Sequence, residues 1–77
     1  MPTVLRWKGY KFLFYSLEEA RPHIHIKKDR FQAKFWLENV EYVESAGFSR
    51  KELNVLEKKI QEERDVLLGA WNDYFNT

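Results

Sequence analysis

The residues from Pro22 to Leu37, PHIHIKKDRFQAKFWL, decide how this chain folds. His23-Ile24-His25-Ile26-Lys27 alternates polar and apolar side chains without a break, the period of a half-buried strand. After a charged turn, Phe31, Ala33, Phe35 and Leu37 alternate in the same way with Gln32, Lys34 and Trp36. Taking Lys28-Asp29 as a two-residue turn places Ile26 opposite Phe31 and Ile24 opposite Ala33, with His25 meeting Gln32 and His23 meeting Lys34 on the other face. The hairpin thus predicts a core side of Ile24, Ile26, Phe31, Ala33, Phe35 and Leu37. Its second side carries His23, His25, Gln32, Lys34 and Trp36.

Upstream, Thr3 to Trp7 and Tyr10 to Ser16 are rich in Val, Leu and aromatic residues, and Lys8-Gly9 between them is a tight-hairpin signal. Tyr10, Phe12 and Phe14 share one face of the second run, and Lys11, Leu13 and Tyr15 the other, so this strand is expected to be central. Ser16 to Pro22 reads as a polar connection. Residues 39–46 fit either an edge strand or a helical turn, and the strand is favoured.

Downstream of Gly47-Phe48, Ser49 with Glu52 three residues on is a capping box. Leu53, Leu56, Ile60, Leu67, Trp71 and Tyr74 then form one stripe of a long helix from about residue 50 to 75. The stripe is polar around Glu62-Glu63-Arg64-Asp65, where the helix is expected to bend or to pass the sheet edge. The sum is a single α+β domain over 1–77, an antiparallel meander of four or five strands in 3–46 with one long C-terminal helix on one face.

A 77-residue chain buries a modest share of its surface and needs a dense core. The 13 Phe, Trp and Tyr residues meet that need. With no Cys, thiolate catalysis, disulfides and Cys-based zinc sites are excluded, and a reducing, cytoplasmic setting is expected. No apolar run reaches the roughly 18 residues of a membrane span, and the first residues lack the charged and apolar regions of a signal peptide. Residues 1–36 hold eight Lys/Arg against three acids, a balance of +5, whereas residues 37–77 hold five against nine, a balance of −4. Such halves either neutralise each other in the fold or leave a basic surface for an anionic partner.

Two histidines at i and i+2 on a strand point the same way, and beside Lys34, Lys27 and Arg21 they could serve RNA cleavage as base and acid with a cation on the phosphate. Two imidazoles do not make a zinc site, and no spacing demands a third ligand from Glu18, Glu19 or Asp29, so neither metal nor cofactor is expected. The same face, with Arg21, Leu13, Tyr15, Trp36, Lys27 and Gln32, reads as a binding surface. The +1 net charge favours a protein partner over nucleic acid there. No nucleophile elbow, phosphate loop or sustained heptad is present.

The opening Met1 to Arg6, Phe12-Leu13-Phe14-Tyr15-Ser16, Pro22 to Ile26, Ala33 to Leu37, Gly47-Phe48-Ser49 with Lys51-Glu52-Leu53, and Leu67-Leu68 through Ala70-Trp71 to Tyr74-Phe75 together resemble the small bacterial domain-of-unknown-function family 4160. The resemblance carries no settled activity. It implies one half of a two-gene unit, beside a small protein of domain-of-unknown-function family 2442, similar to toxin–antitoxin modules. The chain departs from the family in its short turn Lys28-Asp29-Arg30 and in Ala20-Arg21 before Pro22-His23. The expectation is a cytosolic interaction module that binds a small protein encoded by an adjacent gene through its histidine-bearing face, with self-association left open. An RNA-cleaving toxin using His23, His25 and Lys34 is the alternative, and a DNA-binding regulator a further one.

Overall fold

The computed structural model describes residues 3–14 and 21–75. Five strands, β1 (Thr3–Trp7), β2 (Tyr10–Leu13), β3 (His23–Lys28), β4 (Phe31–Trp36) and β5 (Glu41–Ala46), are followed by two helices, α1 (Arg50–Glu62) and α2 (Arg64–Phe75). The sheet is a meander in the order β1-β2-β3-β4-β5, antiparallel throughout. Of residues 39–46, Glu41–Ala46 forms the expected edge strand, and Asn39 and Val40 belong to the turn before it. Lys8 and Gly9 both take positive φ, 50° and 83°, the backbone of a tight turn whose twist matches its flanking strands.

The central hairpin differs from its expected register. Asp29-Arg30, not Lys28-Asp29, makes the turn, so Ile26 pairs with Ala33 and Ile24 with Phe35. Asp29 sits at φ 57°, a left-handed backbone that Asp tolerates better than Lys. The slip is two residues, and side chains alternate with period two, so each stays on its expected face. What changes is the neighbour: His25 lies opposite Lys34, and His23 opposite Trp36. Each outer strand carries one extra residue relative to its partner, Val4 in β1 and Val43 in β5.

Phe12, Phe14, Ile24, Ile26, Phe35 and Leu37 bury one face of the sheet against Leu53, Leu56, Ile60, Leu67 and Trp71 of the helices. The single long helix is not what forms. A straight helix over residues 50–75 would run about 39 Å, longer than the 33 Å greatest extent of the molecule. The break falls in the polar stretch, at Glu63, whose amide donates to the Lys59 carbonyl at 3.0 Å. Arg64 holds α2 in place there: its Nε donates to the carbonyls of Leu37 and Glu38 at 3.0 Å, and a terminal nitrogen to Glu38 at 2.7 Å. A guanidinium on the carbonyls after β4 thus ties the helix break to the sheet.

Two expected core residues lie elsewhere. Phe31 is 38% exposed, because the shifted turn moves it to the end of the hairpin, where its ring meets Phe48 edge-on at 5.8 Å. Tyr74 is 41% exposed and stacks on the outer side of Phe14 at 6.0 Å.

The capping box forms as expected. The Glu52 amide donates to Ser49 Oγ and the Ser49 amide to Glu52 Oε1, both at 3.1 Å, while the Tyr10 hydroxyl donates to Glu52 Oε2 at 3.2 Å. These bonds, led by the one from the Ser49 backbone, hold the Glu52 carboxyl below its ordinary value, and burial followed by the bond to Glu52 pushes the Tyr10 phenol up. A carboxyl depressed on folding stabilises the native state above its unfolded value of about 4.3, and that contribution is lost as pH falls through the folded value. Glu52→Gln keeps the box but removes the charge. Urea titrations from pH 7 to pH 3 should therefore show a shallower acid loss for the variant than for the parent. Parallel curves would refute this assignment.

Candidate functional site

The helices pack on the Phe12 and Phe35 face of the sheet, and the residues singled out from the sequence stand in the rows of the other face, where His23 and Leu13 are buried and the rest of those described are half-buried or exposed. Strand alternation and register arrange them in three rows across the strands. Arg6, Lys11, Lys27 and Gln32 stand directly opposite one another in succession over β1 to β4. Leu13, His25, Lys34 and Glu44 form the next row over β2 to β5. His23, Trp36 and Glu41 form the third over β3 to β5.

Within the third row, Trp36 is half-buried and held by cations. The Arg21 guanidinium carbon lies 4.1 Å from the ring centroid and Lys34 Nζ lies 4.9 Å from it. Both fall within cation–π range. Arg21 itself is exposed at the entry to β3, and the Pro22 carbonyl next to it accepts a bond from the Leu37 amide at 3.1 Å. That bond closes the β3–β4 pair at the Trp36 end.

His23 is fully buried. Its ring is 5.1 Å from Trp71, 5.8 Å from Trp36 and 5.1 Å from His25, centroid to centroid. Its Nδ1 lies 2.8 Å from the Arg21 carbonyl, which can only accept, so Nδ1 carries a proton and donates. The two histidine rings are neighbours, as their spacing implies, but His23 is fully buried against Trp71 of α2, whereas His25 is half-buried. Leu13, also expected on the binding surface, is only 5% exposed. Tyr15 lies outside the described residues.

A shallow depression of about 300 Å³ opens over β4 and β5, lined by His25, Gln32, Lys34, Glu44 and Ser45 among others. It sits beside the Val43 bulge, a device that commonly re-aims side chains near binding sites. Lys34 and Glu44 face each other across it. Glu44 was not singled out from the sequence. The pairing rule that finds it needs the correct register of β4 and β5, which the bulge interrupts.

Among the described residues no group of three or more His, Asp or Glu side chains could hold a metal ion. No described helix is long and apolar enough to cross a membrane.

A family model described as Domain of unknown function (DUF4160) matches residues 9–72. The chain belongs to this DUF4160 family. The match takes in β2 to β5 in full, α1 and most of α2, and so includes most of the basic face and the Trp36 site. No curated protein and no solved structure matches the chain.

Proposed function

We propose that this DUF4160 chain is a small binding module whose exposed sheet face docks an acidic surface of a protein partner. The observation that carries the proposal is the row Arg6, Lys11 and Lys27, three cations directly opposite one another on adjacent strands. Like charges in directly opposed positions disfavour a sheet, whereas opposite charges there contribute about 0.2–1 kcal/mol a pair. A row of like charge on the face turned away from the helices fits an anionic partner. The resemblance to two-gene units makes the product of an adjacent gene the partner to try first, in a toxin–antitoxin-like pair.

The charge row makes a test with two signs. Lys11→Glu places an acid between Arg6 and Lys27, and should raise stability in urea by about 0.5 kcal/mol while abolishing co-elution with the neighbouring gene product on gel filtration. Separate elution of the two unmodified proteins at micromolar concentration, or loss of stability in the variant, would remove the support for this reading.

RNA cleavage by a His23/His25 pair draws less support. A fully buried His23 with Nδ1 committed to a backbone carbonyl does not reach a phosphodiester. Recognition of DNA by α1 is likewise weakly supported, since Lys51, Glu52, Glu57, Lys58, Lys59 and Glu62 mix both signs along it.

A further inference from the structure

The three rows on the exposed face are spaced by the strand itself. Along β4, Gln32, Lys34 and Trp36 follow one another at two-residue steps, and along β3 so do Lys27, His25 and His23. Two residues of a strand span about 6.6 Å. Each row has a cation in or beside it: Lys11 and Lys27 next to Gln32, then Lys34 with the half-buried His25, then Arg21 over Trp36. Gln32 and Ser45 add neutral hydrogen-bonding groups beside the depression.

An extended chain laid over the sheet presents its own downward side chains with the same period of about 6.6 Å. From this match, and on the reading of the face as a docking surface, we infer that the partner contributes an extended segment with acidic side chains at alternate positions, lying along β3 and β4 with one carboxylate over each row. The middle carboxylate lies over His25 and Lys34 on the β3 side, away from Glu44, which lines the far side of the depression. A third sits by Arg21, whose guanidinium carbon lies 4.1 Å from the centroid of the Trp36 ring and whose N–H fork suits a two-point contact with a carboxylate. A helix would not fit this spacing, because its same-face residues recur at three and four positions, rising alternately about 4.5 and 6 Å, and curve away from a flat row. The outer edges of the sheet offer less: Glu44 and Glu41 stand along β5 and repel an acidic segment there, which confines it to β3 and β4.

The test uses a blocked heptapeptide of alternating threonine and glutamate, its glutamine counterpart, and a uridine oligonucleotide of the same length, each titrated into the isotope-labelled full chain at about 0.15 M salt. The expected result is movement of the amide signals of Lys27, His25, Gln32, Lys34 and Trp36 with the glutamate peptide, and binding weaker by roughly tenfold or more with glutamine. Lys34→Glu should reduce affinity for the glutamate peptide by a similar factor. Lys27→Glu tests the neighbouring row if Lys34→Glu does not fold, and Lys58→Glu on the exposed side of α1 should change nothing. Equal binding of the glutamine peptide, shifts confined to the helices, or tighter binding of the oligonucleotide would each overturn the inference. A complex with the adjacent gene product that survives both Lys34→Glu and Lys27→Glu would overturn it too, while leaving the binding-module reading standing. Absence of any such complex removes that reading itself.

Discussion

Gly47→Ala should destabilise the protein by about 3 kcal/mol, the sum of a left-handed backbone that alanine resists and the displacement of the Phe31 ring from the corner it occupies. Gly47 sits at φ 98° between β5 and α1, and a Cβ built there overlaps one edge of the Phe31 ring. Phe31 lies across this corner and meets Phe48 edge-on, so the β3–β4 turn is seated on the start of the helix through a glycine with no room to spare. A double-mutant cycle separates the two costs. In a Phe31→Ala background the steric part vanishes, and Gly47→Ala should cost only the backbone share of about 1–2 kcal/mol. Equal costs in the two backgrounds, measured by urea unfolding, would show that the contact with Phe31 is immaterial.

Trp71→Ala should cost about 3–5 kcal/mol, the range for removing a large buried aromatic. Trp71 is 2% exposed and lies at the meeting of three elements. Its ring meets Phe14 of the loop after β2 edge-on at 5.2 Å, His23 at the start of β3 at 5.1 Å, and Phe75 of its own helix at 4.2 Å. For a domain of this size, with total stability of only about 4–12 kcal/mol, the loss should lower the thermal midpoint by roughly 15–30 °C. Trp71→Phe keeps much of the contact and should lose less than half as much. A midpoint within about 4 °C of the parent for Trp71→Ala, under 1 kcal/mol, would contradict the assignment of α2 as the cover over His23.

The strands could be read because their side chains alternate, and alternation survives errors of two. Ile24, Ile26, Ala33, Phe35 and Leu37 all lie in the core although the turn was placed one residue early. The Ser49–Glu52 box was equally legible, being a local device of four residues. The site was less so, because a binding face depends on which residues stand opposite, and that is the property a two-residue slip alters. The preference of Asp29 for positive φ is the signal that would have placed the turn correctly. The burial of His23 could not be read from its strand at all, since Trp71 arrives from 48 positions further along the chain. The helix break at Glu63 was visible only as a polar gap in the stripe. Its cause, Arg64 on the carbonyls of Leu37 and Glu38, is tertiary.

The extra residues Val4 and Val43 have a consequence for the behaviour of this protein in concentrated solution. A sheet grows into a fibril when an outer strand offers a straight, unbroken row of donors and acceptors on which the next chain can template. Here each outermost strand is kinked within its own length, so neither offers more than a short run of regular pairing sites. A chain in which 17% of the residues are aromatic and five strands lie side by side has much to gain from such stacking. Two misfit valines, one on each flank, interrupt the template at both ends of the sheet.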